Sequence, residues 1–413
     1  MFQFYASCEP LLPRLESLTL HGITEDLAPF IPLFLSPRTT SILFSGPGES
    51  APEPVILPAV AALLVLCPNL QRFGLHHMPR DPVATDAVLK MLLNINQNIL
   101  QVFDAGSPLT NEAKEFICKL PGLRELRIDI GESGSLPTLI LPNLTKMDVC
   151  YDRDPGWLHA FRGAELGKLV SITLYCRSNP VNGISDVFES VALSTSIHTT
   201  LTRFQFRASH PHSWRPNYRS LLQFTQLKKL VVDFTCHRSQ QADCSSTIGD
   251  DIITDFARAM PKLELLIFRE GHASNGVTIK GLVALACYCP HLSLLSIHFQ
   301  AASLELDPSE IPWATPGSRS SMPRGNCALT SLVVGDIPLA EGSVPAVTQT
   351  LLRIFPNLTA ITNPFSWSWR KVAKLVRDSK PFADRSGEKT HSARHQVRLM
   401  SLSGSTLGNT VWL

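Results

Sequence analysis

The chain has 413 residues, of which 44% are hydrophobic and 17% charged, with a formal net charge of +2. That balance describes a folded chain rather than a disordered one, and it lacks the basic excess of a general nucleic-acid binder. At this length one ordinary globular core is disfavoured, whereas an array of stacked units has no such limit because each unit contacts only its neighbours.

Met1 to Leu12 has no basic start, and Cys8, Glu9 and Pro10 break its apolar residues, so no secretory leader is expected. From Leu15 onward one phrase recurs: Leu-x-x-apolar-x-apolar. It reads Leu15-x-x-Leu18-x-Leu20, a degenerate Thr39-x-x-Ile42-x-Phe44, Leu70-x-x-Phe73-x-Leu75 and a weaker Leu100-x-x-Phe103-x-Ala105. Then come Leu123-x-x-Leu126-x-Ile128, Leu144-x-x-Met147-x-Val149, Leu169-x-x-Ile172-x-Leu174, Leu201-x-x-Phe204-x-Phe206 and Leu227-x-x-Leu230-x-Val232. The series closes with Leu263-x-x-Leu266-x-Phe268, Leu292-x-x-Leu295-x-Ile297, Leu329-x-x-Leu332-x-Val334 and a weak Leu358-x-x-Ile361. Self-similarity of this kind is the signature of a solenoid. The last two apolar positions are two apart, so on a strand both point to one face. One short parallel strand per unit then stacks into a curved sheet, and the rest of the unit returns along the convex side.

The returns carry apolar residues at three- and four-residue spacing, which predicts helices over Ala59–Cys67, Asp81–Ile95, Asn111–Leu120, Ser185–Leu193 and Tyr218–Phe224. The same spacing predicts helices over Asp250–Met260, Thr278–Cys289 and Ala346–Phe355. Val55 to Leu66 is the longest apolar run; it contains Pro58, is shorter than the roughly 20 residues of a membrane span, and reads as a buried helix. Proline stops several helices directly before the next phrase, as in Cys67-Pro68, Leu120-Pro121, Met260-Pro261, Cys289-Pro290 and Phe355-Pro356, because the residue before a proline is pushed out of helical geometry. Leading leucines lie 21 residues apart at the closest (Leu123 to Leu144) and 37 at the widest (Leu292 to Leu329), too irregular for a strict 24-residue array. The Asn or Cys expected eight residues after the leading Leu is instead Gly131, Asp152, Arg177, Gly271 and Gln300. The fold class is therefore an α/β leucine-rich-repeat solenoid of the intracellular type, with about 12–13 irregular units over residues 1–363.

The junctions Cys67-Pro-Asn-Leu, Leu141-Pro-Asn-Leu, Met260-Pro-Lys-Leu, Cys289-Pro-His-Leu and Phe355-Pro-Asn-Leu resemble the leucine-rich half of fungal F-box proteins. The resemblance extends nearly to Asn363 and is one of pattern. It implies a subunit of a cullin ubiquitin ligase whose repeats hold the protein to be ubiquitinated. In that family a helical F-box grips the Skp adaptor. No Leu-Pro-x-Glu-hydrophobic start precedes Leu15, so adaptor binding requires an F-box outside this chain.

Outward-pointing strand residues should line the concave face: Arg72, Asp104, Glu125, Arg127, Lys146, Asp148, Ser171, Thr173, Arg203, Gln205, Lys229 and Val231, then Leu265, Ile267, Leu294, Ser296, Ser331, Val333 and Ala360. The middle is mixed in charge and the far end apolar. The candidate protein-binding residues are Arg127, Lys146, Asp148, Arg203, Gln205, Lys229, Val231, Leu265, Ile267 and Leu294. Three fates remain open for the apolar end: a partner groove, a cover supplied by the C-terminal segment, or strands buried on both faces. The charged set reads either as a solvated sheet face or as a recognition surface.

Residues 364–380 predict a capping amphipathic helix, with Trp367, Val372, Leu375 and Val376 on one side and Arg370, Lys371, Lys374 and Arg377 around it. Residues 381–413 lose the pattern and read as a disordered basic tail; positions 370–398 hold nine Lys/Arg against three Asp/Glu, a balance of +6. Asp307–Gly325 reads as a surface loop.

Of the ten cysteines, Cys67, Cys118, Cys287, Cys289 and Cys327 sit beside repeat starts, and the set reads as reduced, packed thiols rather than a disulfide framework. Cys236-His237 with Cys244, Cys287 with Cys289, and His210 with His212 lack the paired spacing of a structural zinc site. Asn143-Leu-Thr145 and Asn357-Leu-Thr359 match a glycosylation pattern but enclose leading leucines, and Gly46-Pro-Gly48 lacks the Lys-Ser/Thr of a phosphate loop. No metal, cofactor or catalytic centre is expected. The expectation is a cytoplasmic or nuclear protein-binding module that takes a protein target on its concave face, with no nucleic acid and no membrane. A stand-alone scaffold or enzyme regulator, acting as a GTPase activator or an inhibitor, is the alternative.

Overall fold

The computed structural model describes residues 10–21, 28–45, 66–76, 99–131, 136–152, 155–177, 185–209, 217–235, 248–269, 276–301, 328–334, 337, 339–362 and 366–379. The predicted helices over Ala59–Cys67 and Asp81–Ile95, the Asp307–Gly325 loop and the tail from residue 381 therefore lie wholly or almost wholly outside the described residues. So do Cys236, His237, Cys244, His210, His212 and the Gly46-Pro-Gly48 turn.

Each copy of the phrase forms one strand. They are β1 Ser17–His21, β2 Ser41–Ser45, β3 Arg72–His76, β4 Val102–Pro108, β5 Glu125–Asp129, β6 Lys146–Tyr151 and β7 Ser171–Cys176. They continue as β8 Arg203–Ser209, β9 Lys229–Thr235, β10 Leu265–Arg269, β11 Leu294–Ile297, β12 Ser331–Val333 and β13 Ala360–Thr362. Among the described residues these make one parallel sheet whose strand order is the chain order. The structure is thus the leucine-rich-repeat solenoid that the phrase predicts.

Register follows the apolar pair. Leu126 pairs with Met147 and Met147 with Ile172, while Ile128 pairs with Val149 and Val149 with Leu174. The same two rows run on through Phe204 and Phe206, Leu230 and Val232, and Leu266 and Phe268. All of these side chains are buried, and the leading leucines from Leu70 to Leu358 are buried beside them. A slip of one residue would turn each row outward, so burial fixes the register. Each fully buried Leu or Phe contributes about 1.5–3 kcal/mol.

The convex side carries α1 Asn111–Ile117, α2 Ser185–Ala192, α3 Asp250–Ala259, α4 Ile279–Tyr288, α5 Val344–Ile354 and α6 Trp367–Asp378. The return predicted as a helix over Tyr218–Phe224 is a 3-10 helix, Tyr218–Gln223. With six residues and no side-chain cap it is too short to sustain α geometry. In the middle of the array aromatic rings join return to sheet: Phe188 meets Phe204 at 5.8 Å and Phe206 at 5.3 Å, and Tyr218 meets Phe268 at 5.6 Å.

A ladder of polar bonds runs beside the core. The residue after each leading Leu offers its carbonyl to two N–H groups of the next unit, as Glu16 does to Thr40 and Ser41, and Thr330 to Thr359 and Ala360. Where that residue is Thr or Ser, its hydroxyl donates back to the same position of the preceding unit: Thr145 to Arg124 (3.0 Å), Ser293 to Glu264 (2.9 Å) and Thr359 to Thr330 (3.0 Å). Asn69 and Asn143 of the Pro-Asn-Leu junctions donate to the carbonyls of Pro37 and Pro121. The inter-unit ladder that is missing eight residues after the leading Leu is therefore built just beside it.

Helix α6 packs on β13 and α5. Its Trp369, Val372 and Val376 are buried in the core, and the Trp369 indole N–H donates to the Ile337 carbonyl at 3.0 Å. No helix among the described residues is long and apolar enough to cross a membrane.

Candidate protein-binding face

Strand alternation gives the concave face three rows. The first runs Glu125, Lys146, Ser171, Arg203, Lys229, Leu265, Leu294, Ser331 and Ala360. The second runs Asp104, Arg127, Asp148, Thr173, Gln205, Val231, Ile267, Ser296, Val333 and Thr362. All ten candidate residues fall in these two rows. The third row, Asp129, Cys150, Tyr175, Arg207, Asp233 and Arg269, lies two residues further along the strands. The phrase stops short of it. The signal that marks it is the inward alternation continuing to Tyr151, Cys176 and Ala208 (all buried), and to Phe234 (also buried), which lengthens β6–β9.

Most acids on this face are matched. Asp104 lies 2.9 Å from His76 and 3.7 Å from Arg127, and Asp148 lies 3.1 Å from Lys146. Asp233 sits between Arg207 (4.0 Å) and Arg269 (3.9 Å). Such half-open pairs are worth at most about 1 kcal/mol each, but they fix where charge remains. Arg203 and Lys229 are register neighbours on β8 and β9, and no ion-pair partner of either is found among the described residues. Like charges directly opposite each other on neighbouring strands repel. Around them stand Ser171, Thr173 and Gln205, and Tyr175, which is 44% exposed.

Asp129 is also matched, but it is buried. It is 1% exposed, and its carboxylate holds the Arg177 guanidinium and accepts the Gly131 N–H at 3.0 Å. Gly131 turns the chain there with φ of 73°, a left-handed conformation that glycine adopts without strain. Lys114 of α1, 3% exposed, points its ammonium at the Ile130 carbonyl 3.5 Å away. Burial lowers its pKa, against the attraction of Asp129. Burial also raises the thiol of Cys150, against the pull of Arg177 and Arg127.

At the apolar end little of the surface is open. Ile267 and Leu294 are only 7% and 5% exposed, and Val231, Leu265 and Val333 are half-buried. Strands lie about 4.8 Å apart, so branched side chains in neighbouring strands cover one another. Helix α6 packs mainly on β13 and α5, beyond this region. Ile267 and Leu294 thus offer a partner little surface, and the accessible polar part of the face centres on β7–β9.

Among the described residues no cluster of three or more His, Cys, Asp or Glu could hold a metal. The described cysteines 67, 118, 150, 176, 287 and 289 are free thiols. Burial pushes Cys67 up to about 11 and Cys118 up to about 12, so neither is a nucleophile at neutral pH. Cys289 instead packs its sulfur against the carbonyls of Ala257 and Met260.

No family model matches the sequence, and no curated protein matches it. Among solved structures, a chain in the crystal structure of the Rad7 and Elc1 complex in yeast is similar at 15% identity, over 84% of this chain and 75% of that one, with a TM-score of 0.44.

Proposed function

We propose that the solenoid is a non-enzymatic protein-binding module whose concave face takes an acidic segment of a partner protein across β7–β9. The observation that carries this reading is the Arg203–Lys229 pair, two neighbouring cations with no ion-pair partner among the described residues, on a face where Asp104, Asp148 and Asp233 are each matched. A carboxylate between the two relieves their repulsion and forms charge-assisted bonds to both. Tyr175 adds an aromatic anchor of the kind that dominates binding energy.

Arg203→Glu with Lys229→Glu tests this. Both side chains point away from the core, so circular dichroism should not change. Proximity labelling in the source cell, comparing the double variant with wild type, should lose partners rich in Asp and Glu. An unchanged set of labelled proteins removes both residues from the site.

The finer assignment is the substrate-recognition region of an F-box-type ubiquitin-ligase subunit in the cytoplasm or nucleus. Its support is the Pro-x-Leu junction pattern, which the Asn-to-carbonyl bonds of Asn69 and Asn143 account for physically. A pull-down with the Skp adaptor, using this chain and an N-terminally extended transcript, separates it from the alternative. Association with neither leaves a stand-alone scaffold or enzyme regulator.

A further inference from the structure

We propose that the acidic segment taken by β7–β9 carries a second acidic position, which seats in a groove between Arg72 and Arg124 at the start of β3–β5. This rests on the acidic-segment reading of β7–β9 and sets the spacing of that segment's charges. The first concave row runs Arg72, Val102 and Glu125 across β3, β4 and β5 in register. Beside it lie Gln71, Gln101 and Arg124, each the residue after a leading Leu. Backbone bonds hold this second line: Gln101 N–H to Gln71 C=O at 2.8 Å, and Arg124 N–H to Gln101 C=O at 2.7 Å. Val102 is short and half-buried between two long side chains, so the surface dips over β4. The dip is a groove of about 290 Å³, lined by all six residues.

The groove is reachable. Gln71, Arg72 and Arg124 are exposed. Residues 38–45, 66–76, 99–108 and 120–129 are described without a break, and the segments outside the described residues that follow His21, Ser45 and His76 leave from the other end of the strands. No ion-pair partner of Arg72 or Arg124 is found among the described residues. Strands β3 and β5 lie two spacings, about 9–10 Å, apart, so the two guanidiniums flank the Val102 floor from opposite sides. An acidic pair there takes charge-assisted hydrogen bonds from both, and the Gln71 and Gln101 amides are further donors.

Register sets the distance between the two seats. From the midpoint of Arg203 and Lys229 on β8 and β9 to β4 is four and a half strand spacings, about 22 Å. An extended chain at about 3.3 Å per residue covers that in roughly six residues once the inward curve of the sheet shortens the path. The path crosses Ser171, Lys146 and Glu125 of the same row, and Lys146 is already matched by Asp148. A neutral spacer suits this stretch. A nucleic-acid backbone, charged at every step, would set phosphates over Glu125 and Asp148, and a second copy of the face would bring the same cations. A protein segment with two acidic positions about six residues apart fits both seats.

The test measures binding of rhodamine-labelled, C-terminally amidated peptides to the full chain by fluorescence anisotropy. The bipartite probe is Glu-Glu-Thr-Ser-Thr-Ser-Glu-Glu; the one-pair probe ends in Gln-Gln instead, and the short probe is Glu-Glu-Thr-Glu-Glu. The bipartite probe should bind roughly tenfold or more tighter than either control, because its second contact is intramolecular. Arg72→Gln with Arg124→Gln should remove that advantage and leave one-pair binding at β7–β9. Glu125→Gln should tighten the bipartite probe alone. The exposed substitutions should leave far-ultraviolet circular dichroism unchanged. Equal affinity of the bipartite and one-pair probes, or an advantage that survives Arg72→Gln with Arg124→Gln, overturns the second seat; β7–β9 then still stands if Arg203→Glu with Lys229→Glu abolishes one-pair binding. An advantage untouched by Arg203→Glu with Lys229→Glu sinks the reading of β7–β9 and the bridge with it.

Discussion

Asp250 and Gly281 are joined by a hydrogen bond of 3.0 Å from the Gly281 N–H to Asp250 Oδ1, which ties the start of α3 to the start of α4. The same oxygen accepts the Thr278 N–H at 2.7 Å, and the other carboxylate oxygen accepts the Thr278 hydroxyl. The acid of one unit thus caps the helix of the next. A Cβ on Gly281 would stand 2.7 Å from Asp250 Oδ1 and 2.3 Å from a Val277 methyl, so only glycine allows this approach.

Asp250→Ala should therefore cost about 0.5–2 kcal/mol, the range for a lost helix cap. Because solenoid stability is a sum of local and neighbour terms, the loss should concentrate at one joint. Hydrogen exchange should quicken at Thr278–Leu282 while amides of β5–β7 keep their protection. A uniform change along the array would contradict the local link.

Asp129→Asn leaves the Arg177 and Lys114 cations without their shared acid. The expected cost is about 2–3 kcal/mol, below the full penalty for orphaning a buried charge because Arg177 is partly open to solvent. Lys114→Met in the same background should recover part of the loss in urea denaturation. In the wild type the folded pKa of Lys114 is lowered, so the unfolded state holds its proton to higher pH. Wild-type stability relative to Lys114→Met should then rise as pH climbs from the lowered folded value toward the ordinary lysine value.

The Cys118 thiol has the opposite sign. Its folded pKa is raised from 9.0 to about 12, so above pH 9 the unfolded chain has ionised while the folded chain has not. Its contribution is full below pH 9 and is lost as pH rises through the window to about 12. Cys118→Ala should flatten that alkaline fall in chemical denaturation at a modest cost at neutral pH. An identical alkaline slope in the variant would place the ionisation elsewhere.

Leu266→Asp sets a carboxylate in the central seam, where Leu266 pairs with Leu230 and Leu295 and is fully buried. An unpaired buried charge costs well above about 4 kcal/mol. Several neighbouring units should melt together, seen as a large loss of far-ultraviolet circular dichroism.

Legibility followed the physics of burial. The seam could be read because leaving Leu126 or Val149 in water is costly, so composition and spacing carry the constraint directly. The third concave row was not, because Cys150, Tyr175 and Arg207 face outward and nothing in burial restricts them; only the inward partners Tyr151, Cys176 and Ala208 reveal how far the strands run. The threonine ladder stayed hidden since Thr145 or Thr359 gains its role from a carbonyl one unit away. Ile267 and Leu294 were readable as outward-facing, but how much surface they keep depends on neighbours that no local pattern names.

The sequence by itself determined the repeat, the strand of each unit, its register and the residues facing each way, since a two-residue alternation of apolar side chains permits one burial arrangement. Tertiary structure decided which charges on that face are matched and which apolar residues cover one another. Apart from the local Lys146–Asp148 pair, those depend on distances between residues twenty to fifty positions apart, such as Asp129 and Arg177, and the coils bring such residues together only after they have stacked.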